Sequence, residues 1–451
     1  MEHPDSQSTV NSQRQPEARL PWGLAITLVV VIAIVHGAVG LLYATALSPL
    51  RGQPLLSVGG DAYLKCYPNW DTDDEQDATG FNRTAVSVLQ TGLPYSRHGT
   101  LILRTAVCSY FLAACYAIGG VRFLPVDIAQ AIVSGVTGLF LAAAASRLYA
   151  GRMAVRWVVA ALYLVNLRVA MNVGYIGPLI LTLFFLSIAF WSIAGSTKDS
   201  PPKWVAPCLI LGTYTSSTFF VVALVGAAWL LLRRRAVFQS AVIVLFVALK
   251  FLITWSNVAG PSAEPNRAAD RGGIFWGSNN PYYDRMRPWS PWEWRGNNPW
   301  TTWKMTYQEQ QRYATYLSRS GQNELRATLL WIRENPGHYA QVCLARLRTE
   351  FGPYTGEMSP RNRLISTAVW LLIFPAGFYM LWRLRHTASG EFALWIVIAV
   401  FAFATFVTEE PYLRYRMPVD LLLTAFAGGA YSQWFARLRR VDSSSKTADS
   451  P

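Results

Sequence analysis

The chain has 451 residues, 52% of them apolar and 15% charged, against roughly 25% charged in soluble domains. Its formal charge of +14 is scattered over short clusters beside apolar runs (Arg147, Arg152 and Arg156; Lys198 and Lys203; Arg233 to Arg235; Arg383 and Arg385; Arg437, Arg439 and Arg440). A basic face that would hold nucleic acid is therefore excluded, and the clusters read as the cytoplasmic connections of a membrane protein.

In chain order, residues 1–21 form a polar, disordered cytoplasmic tail, and Trp22 to Leu47 is almost uninterrupted apolar sequence apart from His36. That length suits an uncleaved signal anchor. The "ATA" at 44–46 has the small residues of a cleavage site, but the apolar core before it is longer than a signal peptide needs. His36 is expected to be a packed or hydrogen-bonded helix residue.

Next comes an acidic run, Asp71, Asp73, Asp74, Glu75 and Asp77, and then "DATGFNRTAVSVLQTG" (77–92). Asp77, Phe81, Ala85 and Leu89 recur every fourth position, which predicts one stripe of a helix closed by Gly92. The "NRT" at 82–84 fits a glycosylation sequon but falls inside that helix.

Apolar runs follow at about 101–119, 125–146, 154–172, 176–194, 204–232, 236–256, 364–382, 391–408 and 416–434. The basic clusters all fall on one side if 101–119, short and carrying Arg104, stays in the interface. The same pattern requires 204–232 to turn at the polar "TYTSST" (213–218) into a tight helical pair. The expectation is about ten spanning helices with both termini cytoplasmic. The domains read as 22–256, a membrane module that includes a first outer loop 48–124; 257–363, a second outer loop; 364–434, the last spans; and 435–451, a cytoplasmic tail.

The second outer loop holds six of the 18 tryptophans between 276 and 303. With Tyr282 and Tyr283 among Asn, Gly and Arg, these rings suit the headgroup zone or the apolar faces of a sugar. The loop continues into "LRATLLWIRENPGHYAQVCLARLRTEFG" (325–352), whose spacing predicts two amphipathic helices broken at Pro336. The five cysteines, at 66, 108, 115, 208 and 343, lack metal-ligand spacing. A Cys66 to Cys343 disulfide is compatible with an oxidising compartment, though unpaired thiols are the simpler reading.

The acids admit several uses. Two of them would serve to cap a helix and complement its dipole. "DTDDEQD" lacks the turning glycine of an EF-hand, Gln76 standing in its place, which leaves a looser divalent site at Asp71, Asp73 and Glu75 as an alternative. A solvated acidic surface is a third reading. The fourth makes Asp77 a general base, with Asp74 as the alternative, carried on a helix whose apolar stripe docks on the bundle where a lipid-linked substrate can reach it.

An acid heading a short outer helix after the first membrane segment, with Phe81, Ala85, Leu89 and Gly92 behind it, resembles the first outer loop of the membrane-embedded glycosyltransferases of the GT-C superfamily. These are the relatives of protein O-mannosyltransferases and of the aminoarabinose transferase of lipid A. "GGIFWGSNNPYY" (272–283), "ENPGHYAQVCLARLR" (334–348) and "EEPYLRYRMPVD" (409–420) are similar to later stretches of bacterial members, so the likeness runs from about 22 to 434. The chain departs from the pattern at Ala78, where the family usually has Glu, and in the proline missing from "HGTLILRTAV".

The resemblance implies an all-α polytopic fold, a GT-C-like bundle with juxtamembrane helices in the first outer loop. It also implies transfer of a sugar from a polyprenyl-phosphate donor to an outer hydroxyl, without cofactor, at the plasma membrane. Such a donor needs a base and cations for its phosphate. The candidate cations are Arg416 and Arg414 near the last span, Arg271 before the Trp-rich stretch, and Lys250 and Arg168 within apolar runs, where charge is costly. Glu409, Glu410, Trp276 and Tyr282 are candidates for contacting acceptor or sugar. Two other classes remain, a transporter or flippase of a lipid-linked saccharide and a non-catalytic membrane scaffold that binds glycans.

Overall fold

The computed structural model describes residues 21–47, 77–96, 99–103, 105–149, 151–196, 202–216, 219–256, 315–321, 323–353, 360–407 and 413–448. Among them there is no strand, only an isolated bridge between Tyr95 and Leu101. The named helices, in chain order, are α1 (Trp22–Leu47), α2 (Asp77–Thr91), α3 (Ala106–Gly119), α4 (Phe123–Leu148), α5 (Met153–Leu164), α6 (Leu167–Val173), α7 (Leu179–Ala194), α8 (Val205–Thr215), α9 (Phe219–Arg234), α10 (Val237–Ser256), α11 (Glu324–Glu334), α12 (Pro336–Phe351), α13 (Pro360–Arg383), α14 (Ala388–Phe406) and α15 (Leu413–Ala448). The all-helical, polytopic expectation holds.

Four helices among the described residues are long and apolar enough to cross a membrane: α1 over 22–42, α4, α13 over 363–383, and α14. A fifth span results if α5 and α6, bent by 57° at their junction, count as one. Shorter apolar helices, α3, α7, α8 and α10, complete the bundle. The sequence predicts 154–172 as one run, but Asn166 breaks it: its side chain accepts a hydrogen bond from the Val169 amide and restarts the chain as α6, a capping role that competes with helix continuation. The break expected at "TYTSST" is present, with α8 ending at Thr215 and α9 starting at Phe219. Helix α15 continues past 434 to Ala448.

The core joins α1, α4 to α10 and α13 to α15. Backbones approach closely where α1 meets the end of α6: a Cβ at Gly174 would lie 1.9 Å from the Gly40 carbonyl oxygen. One end of the bundle is basic. There Arg147 stacks on Trp191, Arg233 pairs with Glu391 at 2.6 Å, and Arg234 donates to Ser196. Because α4, of 26 residues, runs toward this end and α5, of 12, runs away from it, the α5–α6 junction lies about midway along the bundle and the α6–α7 turn beyond it, toward the opposite end.

A polar seam runs inside the bundle. His36 Nδ1 is 2.8 Å from Ser134 Oγ and its Nε2 is 3.2 Å from the Leu164 carbonyl, while Ser134 also meets the Tyr163 hydroxyl. Gln130 donates to the carbonyls of Val173 and Tyr175. These groups spend their hydrogen bonds on one another, so the seam is packed interior, and His36 is the bonded helix residue expected.

Candidate functional site

Helix α2 begins at Asp77, and its side chains are described from Phe81 onward. Phe81 and Ala85 are buried in a second core with Leu112, Tyr116, Phe123, Val126, Ile176 and Leu181. The Phe81 ring comes against Gly177. Two polar ties reinforce the docking: Tyr116 Oη donates to Asn82 Oδ1 at 2.7 Å, and Thr84 Oγ1 lies 2.7 Å from Ser109 Oγ. Asn82 is thus an interior acceptor rather than an exposed sequon. The stripe is docked only over its first half, because Leu89 is 44% exposed. Gly92 follows with φ +79°, a left-handed position that glycine adopts without steric cost.

At the same end, Arg168 and Arg416 converge on one carboxylate. Arg416 Nε reaches Asp420 Oδ1 at 3.1 Å, one helical turn away on α15, and Arg168 Nη1 reaches Asp420 Oδ2 at 3.2 Å. Both cations also hold the end of α12. Arg416 Nη1 donates to the Glu350 carbonyl at 2.6 Å and to that of Gly352, while Arg168 donates to the carbonyls of Pro353 and Ser366. Arg416 is fully buried, with its guanidinium 4.8 Å from the Phe374 ring centroid. The end of α12 is fixed further by Phe351, which stacks on Phe401 at 4.2 Å and accepts from the Trp370 indole at its carbonyl. Arg346 donates to the Thr405 carbonyl from the same helix. The two amphipathic helices broken at Pro336 are present as expected, and α12 is pinned inward by these contacts.

Glu350 is the most unusual group in the cluster. It is 1% exposed, and neither carboxylate oxygen has a hydrogen-bond partner among the described residues. Burial raises its pKa to about 8, Arg416 opposing and Asp420 reinforcing the rise. Burial thus favours the protonated form of this carboxyl beside the two guanidiniums and Asp420. Arg416 Nη2 has no partner among the described residues.

Of the candidate cations, then, Arg168 and Arg416 are brought together. Lys250 is buried elsewhere, donating to the Thr213 carbonyl on α8. Arg414 lies in the first turn of α15, its side chain outside the described residues, as is that of Asp77. Asp71, Asp73, Asp74, Glu75, Arg271, Trp276, Tyr282, Glu409 and Glu410 lie outside the described residues altogether. Among the described residues no group of three or more His, Cys, Asp and Glu could hold a metal ion. Cys343 is a free, buried thiol, and Cys66 is outside the described residues. Sequence reasoning missed Asp420 and Glu350. Asp420 could have been found, standing one turn after Arg416 in an apolar helix, whereas Glu350 carries no local signal.

Together these elements define a polytopic, all-helical membrane protein with a juxtamembrane helix docked on its bundle and a buried ionic cluster at the same end. No family model matches the chain, and no curated protein sequence matches it. Among solved structures it is similar to ArnT from Cupriavidus metallidurans bound to undecaprenyl phosphate, at 12% identity and a TM-score of 0.49, over 90% of this chain and 60% of that one. It is also similar to the archaeal oligosaccharyltransferase AglB from Archaeoglobus fulgidus in complex with an inhibitory peptide and a dolichol-phosphate, at 12% identity and a TM-score of 0.48, over 95% of this chain and 52% of that one. The chain thus spans between half and two thirds of the length of these structures. At such scores neither likeness assigns a role to any residue.

Proposed function

We propose that this protein is a glycosyltransferase of GT-C type that moves a sugar from a polyprenyl-phosphate donor to an acceptor hydroxyl on the outer face of the plasma membrane. In this reading the bundle crosses about ten times, with the shorter apolar helices counted as crossings. Asp77 is the general base. It takes the acceptor proton as the oxygen attacks the anomeric carbon, and the polyprenyl phosphate leaves from the opposite face, so the configuration inverts. The donor phosphate carries its own leaving ability, so cations suffice to stabilise the charge that develops on it. Arg416, with Nη2 free among the described residues, is the first candidate for that contact, and Arg168 the second.

The observation that carries the reading is the docking of α2. A helix headed by an acid is seated on α3, through Asn82–Tyr116 and Thr84–Ser109, with the Phe81 ring reaching Gly177 in the α6–α7 turn, and α6 begins with the segment that bears Arg168. This docking supports the reading in which base and cation share a rigid support, as precise positioning requires. A transporter would need polar groups open to a path through the membrane, whereas the polar seam is bonded internally.

The test is transfer by the purified full-length protein in lipid, using a panel of radiolabelled polyprenyl-phosphate sugars. Asp77→Asn is expected to slow transfer by about 10²- to 10⁴-fold, the usual contribution of a general base. A variant as fast as wild type would remove Asp77 from that role, with Asp74→Asn the next variant to examine. Failure of the wild type to transfer from any member of the panel would overturn the reading itself.

A further inference from the structure

A second site lies at the basic end, far from the cluster just described. Between α13 and α15 lies an open cleft of about 310 Å³, lined by Ala376, Tyr379 and Arg383 of α13 and by Ala430, Trp434 and Arg437 of α15. The small side chains of Ala376 and Ala430 leave the space between the larger lining residues. That volume is room for a polar headgroup.

The two arginines differ from their neighbours. At this end Arg147, Arg233 and Arg234 are taken up by Trp191, Glu391 and Ser196, as noted above, and Arg385 by the Trp382 carbonyl and ring. Arg383 lies over the Tyr379 ring at 5.9 Å, and neither it nor Arg437 has an acidic partner among the described residues. Depth supports a ligand from the bilayer. From Arg416 to Arg437 along α15 is about 32 Å at 1.5 Å per residue, close to the ~30 Å hydrocarbon thickness. The apolar stretch of α13 is likewise bounded by Arg363 and Arg383. With Arg416 at one headgroup level, Arg437 and Arg383 stand at the other. The rings of Tyr379 (58% exposed), Trp382 (63%) and Trp434 (54%) face outward beside them, at the depth where aromatic side chains meet the interface.

We propose that this cleft binds the phosphate headgroup of an anionic phospholipid of the cytoplasmic leaflet. Arg383 and Arg437 clamp the phosphate and the acyl chains run along the exposed aromatic faces, a class of site expected where basic pockets open between membrane helices. The inference is independent of the transferase reading and of Asp77.

Native mass spectrometry of the full-length protein, titrated in detergent with phosphatidylglycerol and with phosphatidylcholine of matched chains, tests it. The expected result is retention of phosphatidylglycerol at tenfold or more over phosphatidylcholine, lost in Arg383→Glu/Arg437→Glu, with no displacement by millimolar inorganic phosphate. Both arginines are on the surface, so the variant should fold, and an unchanged melting curve in lipid-free detergent checks this. Ala430→Leu, which fills the cleft while leaving both charges, should also lose the preference. Equal retention of the two lipids, retained preference in the charge-reversed variant, or displacement by free phosphate would each overturn the assignment.

Discussion

Replacing Glu350 with glutamine is expected to remove a pH dependence from the stability of the fold. In the native protein burial raises the Glu350 pKa to about 8, from 4.5 for an ordinary glutamate. The folded state therefore holds the proton more tightly than the unfolded chain. The associated stability is fully present below pH 4.5, declines as pH rises, and is gone above about 8. At about 1.4 kcal/mol for each tenfold change in proton affinity, the whole effect is at most roughly 5 kcal/mol, and about 3 kcal/mol of it falls between pH 5 and pH 7.5. For a chain of this length 3 kcal/mol corresponds to about 3 °C in Tm. Thermal melts followed by tryptophan fluorescence in detergent, at intervals from pH 5 to 7.5, measure it. The melting temperature of the wild type should fall relative to that of Glu350→Gln as pH rises. Glu334→Gln, at an exposed residue paired with Arg319, should run parallel to wild type. If the curves for wild type and Glu350→Gln run parallel as well, the carboxyl does not titrate in this window and the account of its protonation is wrong.

The same titration should reach ligand binding. If the donor phosphate docks at Arg416, affinity for polyprenyl phosphate will weaken as pH passes about 8 and Glu350 ionises, and the decline will be absent from Glu350→Gln; binding across pH 6.5 to 9 decides it. Phe81→Ala should loosen α2 by about 3 kcal/mol or more, the usual cost of truncating a buried phenylalanine, read as faster hydrogen exchange in 81–91 with the rest of the bundle unchanged. Gly174→Ala puts a methyl group within 1.9 Å of a backbone oxygen and should abolish the yield of monodisperse protein. Gly337→Ala, with nothing within 4 Å of the added carbon, should be neutral.

By itself the sequence determined the helices and most of their breaks, because apolar periodicity, Pro336 and the polar run at 213–218 act over a turn or two of local chain. It also determined that α2 would be amphipathic with Asp77 at its head, and that His36 would be interior. Tertiary structure decided which partners meet. Arg168 and Asp420 are 252 positions apart, and Arg416 and the Glu350 carbonyl 66. No local pattern connects them, since a buried ion pair depends on how separate helices pack. The break at Asn166 was hidden for a related reason: the run is apolar on both sides of it, and only the fold shows that the buried Asn166 side chain caps α6 instead of continuing the helix. The exposure of Leu89 shows the limit from the other side, because a helical stripe specifies a face and packing alone sets how much of that face is covered.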